Sequence, residues 1–108
     1  MGQSSRPMQN SLTREKVLRI LREYRRDCPY RDRIKTIGLF GSVAGDSHRM
    51  RSDVDIFVDL DPPRMFDLIG IKQELEKVLL CKVDVVLLRK RMNPVLRDQI
   101  ERHGIYVR

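Results

Sequence analysis

Gly41 and Ser42 stand ten residues ahead of Asp53-Val54-Asp55. An apolar run rich in β-branched residues, Ile34 to Phe40, leads into the glycine, and a second, Val54 to Leu60, begins inside the aspartate pair. Side chains alternate along a strand, so Asp53 and Asp55 point to one face, about 7 Å apart. Val54, Ile56 and Val58 then point the other way, into a core. Two carboxylates so placed serve one cation or a close pair of cations. A turn whose backbone N–H groups gather round an anion holds phosphate. A third acid, Asp84, interrupts the apolar run Val83 to Leu88. A carboxylate there is costly to bury unless it is paired or metal-bound. If its strand lies beside the second one, Asp84 joins the same site. Asp59 shares the aspartate face but lies further along. This combination is what metal-dependent chemistry on a nucleoside triphosphate requires.

Each residue also has an ordinary reading. Asp-x-Asp pairs are common at wet strand ends, an aspartate in an apolar strand can face water at a sheet edge, and Gly-Ser after a strand is usually a plain turn. The coupling of all three features favours the site. Gly41, with no Cβ, lets the backbone approach a ligand. Ser42 adds a hydroxyl, and the amides that follow open a helix N-terminus, which suits phosphate.

The elements that must carry these residues follow from periodicity. Residues 1–11 are polar and read as a disordered tail, leaving 12–108 as one domain. A helix is predicted from about Thr13 to Asp27, with Val17, Ile20, Leu21 and Tyr24 at helical spacing, Arg14, Arg22, Arg25 and Arg26 on or near its wet face, and Pro29 beyond its end. Ile34 to Phe40 is the first strand. Gly41 to Ser47 is a tight turn opening a short helix, and His48 to Arg51 a polar loop. Val54 to Leu60 is the second strand, ended by Asp61-Pro62-Pro63. A second long helix spans about Met65 to Leu80, its apolar face formed by Met65, Leu68, Ile69, Leu75, Val78 and Leu79, with Lys72 the polar exception. Lys82 to Leu88 is the third strand. Asn93-Pro94 starts a short helix with Val95, Leu96 and Ile100 inward and Gly104 as its stop, and Ile105 to Val107 adds a last strand. The fold class is α/β (α+β): a small mixed sheet of about four strands, helices mainly on one face, the acids on the other.

Bulk properties narrow the classes. The chain has 108 residues, 41% hydrophobic and 34% charged, with a formal charge of +7. That charge favours anionic partners, although no aromatic residues interleave with the basic ones as a stacking platform for nucleic acid needs. No apolar run of about 18 residues exists, which argues against a membrane span. There is no apolar leader segment, and Cys28 and Cys81 have no metal-ligand spacing; they read as free thiols of a cytoplasmic protein.

Phe40-Gly41-Ser42, ten residues, then Asp53-Val54-Asp55 resembles the signature of the DNA polymerase beta-like nucleotidyltransferases. The short length and Lys82-Val83-Asp84-Val85-Val86 resemble the minimal nucleotidyltransferases (MNT), as does the closing stretch Pro94 to Gly104. The resemblance covers about residues 12–108. It implies that Asp53, Asp55 and Asp84 hold two Mg²⁺ ions, with Asp84 nearer the acceptor hydroxyl. It also implies that Gly41 and Ser42 clamp the outer phosphates of ATP. Arg51 and Ser52 are taken with them as nucleotide-binding residues. The implied reaction is in-line attack on the α-phosphate with release of pyrophosphate. The implied partner is a HEPN-family toxin that receives AMP on a tyrosine, which would make this chain an antitoxin. The basic helix Arg14 to Arg26, or the C-terminal segment, is the expected docking surface.

One departure stands out. Members often read Gly-Ser-x-Ala-Arg-Gly, whereas Gly45 and Asp46 occupy the last two positions here. A cation near the phosphates is lost and a carboxylate gained, with His48, Arg49 or Arg51 available to compensate. That change motivates an alternative, an antitoxin that is weakly catalytic or inert and neutralises by binding. A basic nucleic-acid-binding domain ranks last, since the acid cluster opposes direct nucleic-acid binding. A nucleotidyltransferase for a small molecule would need a separate substrate subunit.

Overall fold

A computed structural model of the chain describes residues 13–41 and 54–107. Helix α1 (Arg14–Asp27) starts where Thr13 caps it, its side-chain oxygen accepting from the Lys16 N–H at 3.1 Å. Val17 and Leu21 are buried, and Ile20 and Tyr24 pack half-buried beside them. The strands are β1 (Ile34–Phe40), β2 (Val54–Leu60), β3 (Val83–Leu87) and β4 (Ile105–Val107), in the spatial order β3-β2-β1-β4. β2 and β4 each run antiparallel to β1, while β3 runs parallel to β2. A parallel pair needs a crossover, and helix α2 (Met65–Leu79) supplies it.

The sheet divides the core in two. Alternate residues Ile37, Leu39, Ile56, Val58, Val83 and Val107 meet α1 and α2 on one face. On the other, Phe40 and Phe57 meet Ile100 of helix α3 (Pro94–His103), with Leu96 and Val86 packed around them. Phe57 is fully buried and lies edge-on to Tyr106, ring centroids 5.0 Å apart. Gly38 makes this possible: a Cβ there would fall on the Phe57 ring and on the Ile105 carbonyl oxygen. Two helices thus cover one face, as expected, but α3 takes a share of the face that carries the acids.

Two helix faces differ from expectation. Met65, Ile69 and Val78 of α2 are exposed, and the buried stripe is Asp67, Ile71, Leu75 and Leu79. These four recur every fourth residue, and Asp67 can enter the stripe because Arg33 Nε donates to its Oδ2 at 2.6 Å. In α3, Ile100 is buried and Leu96 half-buried, but Val95 is exposed. Val95 sits in the first turn, where Asn93 Oδ1 accepts from the Val95 and Leu96 N–H groups. Gly104 ends α3 in an extended conformation rather than a left-handed one. Arg25 is half-buried at the edge of the wet face; its guanidinium donates to the Val107 and Lys35 carbonyls and ties α1 to one end of the β1–β4 pair. Tyr24 Oη donates to Glu74 Oε1 at 2.8 Å and links α1 to α2. Among the described residues, no helix is long and apolar enough to cross a membrane.

Candidate active site

The register of three strands decides what is brought together. Asp55 faces Asp84 across the parallel β2–β3 ladder and Phe40 across β1–β2. Neighbouring strands lie about 4.8 Å apart, so the two acids are adjacent on one face. Gly41 follows Phe40 and has φ +80°; a Cβ there would fall on Asp55 Oδ2. Only glycine meets both demands, since an L side chain at positive φ is strained and this space is taken. Asp55 is half-buried and Asp84 exposed, so the pair opens outward from the end of the sheet.

The start of β3, which carries Asp84, is held from behind. Glu76 Oε2, on the last turn but one of α2, accepts from the Val83 N–H at 3.0 Å and from Lys72 Nζ at 3.1 Å. These two donors, the backbone N–H first, hold the Glu76 carboxyl below its ordinary range. The Lys82 carbonyl accepts from the Val54 N–H at 3.1 Å, fixing the same end to β2. The sequence reading missed Glu76; its signal was the Lys72–Glu76 spacing of four residues just ahead of the strand.

Gly41, Asp55 and Asp84 are therefore together. Asp53, Ser42, Arg51 and Ser52 lie outside the described residues, as do Gly45, Asp46, His48, the expected short helix after Gly41 and the tail 1–11. Asp59 shares the acid face but lies four residues further along β2, about 13 Å from Asp55, in a separate hollow beside α3. Among the described residues no three His, Cys, Asp or Glu side chains converge on a metal position. The adjacent Asp55 and Asp84 carboxylates are hard oxygen donors of the kind that would suit Mg²⁺.

Two acids in register beside a glycine turn, on an α-β-β-α-β-α-β order, can be compared with known proteins. Residues 15–108 match the family described as Polymerase beta, Nucleotidyltransferase. The chain belongs to this family. A Methanocaldococcus jannaschii relative, MJ1379, provisionally named a protein adenylyltransferase, is 33% identical over 98 residues, 88% of this chain and 98% of its own. A solved structure provisionally described as a minimal nucleotidyltransferase superposes with a TM-score of 0.68 at 33% identity, covering 87% of this chain and 95% of that one. A chain in a complex of a tri-AMPylated Shewanella oneidensis HEPN toxin with an MNT antitoxin superposes with a TM-score of 0.61 at 25% identity, covering 87% of this chain and 71% of that one. The nucleotidyltransferase family and mixed-sheet fold expected from the sequence are thus established.

Proposed function

We propose that this chain transfers AMP from ATP to a tyrosine hydroxyl of a partner HEPN toxin and acts as its antitoxin in the cytoplasm. The observation that carries the reading is the register of Asp55 with Asp84 beside Gly41 in a nucleotidyltransferase. The AMPylated HEPN toxin bound to a related antitoxin supports the choice of acceptor. Gly41 and Ser42 bind the outer phosphates through backbone N–H groups, and Arg51 and Ser52 add contacts from the loop before the aspartates. Asp53, Asp55 and Asp84 hold two Mg²⁺ ions, whose chemistry is to neutralise the triphosphate and the entering and leaving oxygens. The acceptor oxygen attacks the α-phosphorus, the bond to the β-phosphate oxygen breaks in line, and pyrophosphate leaves. Asp84, the more exposed acid, accepts the hydrogen bond of the incoming hydroxyl and passes its proton to solvent.

The test is calorimetric titration of ATP with Mg²⁺, followed by mass spectrometry of the HEPN protein after incubation. Wild type gains metal-dependent binding and adds AMP to the partner; Asp53→Ala with Asp55→Ala loses both. Neutralisation of the toxin by that double variant would favour the binding-only reading that Gly45 and Asp46 motivate.

A further inference from the structure

At the end of the sheet away from Asp55 and Asp84, a hollow of about 410 Å³ opens between α3 and the sheet. Lys35, Arg89 and Lys90 line it together with Arg97, against the carboxylates of Asp59 and Glu101. Arg97 is spent on structure: its Nη2 donates to the Arg89 and Lys90 carbonyls at 2.5 and 2.8 Å and so shapes that wall. The Lys35 and Lys90 ammonium groups have no hydrogen bond or ion pair among the described residues. One contact links this wall to an apolar knob. Arg89 Nη2 lies 3.9 Å from Met65 Sδ, and Met65, Phe66 and Ile69 on the first turns of α2 are 56%, 85% and 48% exposed. Single exposed apolar residues are ordinary; three on adjoining turns beside a cationic hollow are a patch.

We propose that this composite surface is where the protein acceptor docks, which rests on the function proposed above. The partner presents an apolar pocket to Phe66 and acidic side chains to Lys35, Arg89 and Lys90. The apolar half favours a protein, because Met65 and Ile69 offer no flat face on which a base can stack, whereas a protein interface is built on such anchors with a charged rim. The chain's charge of +7 sets the complementary sign. From Asp59, in the hollow, to Asp55 is about 13 Å along β2. Helix α3 covers Phe57 between them, so the partner's body binds at one end while a segment longer than that straight span, more than four or five extended residues, passes round α3 to bring its hydroxyl to the acids.

The test uses the full chain and the HEPN-family proteins of its source genome, each incubated with ATP and Mg²⁺. For the one that wild type adenylylates, Phe66→Asp and Lys90→Glu should each weaken association about tenfold or more and raise KM for the partner, with ATP binding unchanged. Phe66→Asp is safe for the fold, since the site is exposed and an acid suits a helix N-terminus. Unaltered association in both variants overturns the proposal. So does a wild-type dimer, seen by light scattering, that Phe66→Asp dissolves, because the knob then covers a second copy. RNA binding weakened by Lys90→Glu, with partner binding intact in both variants, assigns the hollow to nucleic acid and overturns it too. If no HEPN protein is adenylylated by wild type, the proposed function itself falls, and this docking site with it.

Discussion

At Gly41, conformation and chemistry constrain the same atom. The left-handed φ turns the chain out of β1, and the missing Cβ leaves room for the Asp55 carboxylate. Gly41→Ala therefore disturbs the acid as well as the turn. We expect a stability loss of about 1–2 kcal/mol from the backbone conformation, and loss of Mg-dependent ATP binding as Asp55 is displaced. Chemical denaturation and calorimetry on the same sample measure the two. Asp84→Asn keeps the shape and removes the charge, so it should leave the thermal midpoint near wild type while AMP transfer falls by a factor on the order of 100 or more. A variant with full transfer activity would remove Asp84 from the chemistry.

At the scale of the element, α2 does more than cross over. Its Glu76 caps the first N–H of β3 and so fixes the strand that carries Asp84. Because the Glu76 pKa is lowered in the fold, its contribution is present above the ordinary carboxylate value of about 4.3 and is lost as pH falls through the folded value. Thermal melts between pH 3 and 7 should show a steeper acid-side fall for wild type than for Glu76→Gln, with the curves converging at low pH. Parallel curves would mean the capping contact contributes no pH dependence. The same helix shows why one face was misread from sequence. Met65, Ile69 and Val78 are apolar at helical spacing, yet the sheet buries the stripe through Asp67 and Ile71, because Arg33, thirty-four residues earlier, neutralises Asp67. Periodicity cannot see a partner that far along the chain.

For the whole molecule, α3 joins the two ends of the acid face: it covers Phe57 in the middle, leaving Asp55 and Asp84 at one end and the basic hollow at the other. Phe57→Ala should cost about 3–5 kcal/mol, since the ring is fully buried between sheet and helix. Hydrogen exchange at residues 95–103 should accelerate more than in α1, which packs on the opposite face. Uniform acceleration would show that the two cores unfold as one. The molecule's positive charge belongs to this scale as well: partner association should weaken as salt rises from about 50 to 500 mM, and Lys90→Glu should flatten that dependence.

The sequence by itself determined the elements and the chemical types they carry. β1, β2 and β4 begin and end where the apolar alternation and the turn residues place them, and Thr13 and Asn93 start helices through their own side chains. These are local effects, settled by neighbours a few residues away. It also put acids on β2 and β3 but left open whether those strands touch. Tertiary structure alone decided that β3 lies parallel beside β2 in the register that sets Asp84 against Asp55. It also decided that α3 lies across the acid face, through Phe57, Gly38 and Ile100, and which side of α2 is buried. The physical reason is the same in each case: pairing and packing are fixed by contacts between residues distant along the chain, and no local pattern encodes them.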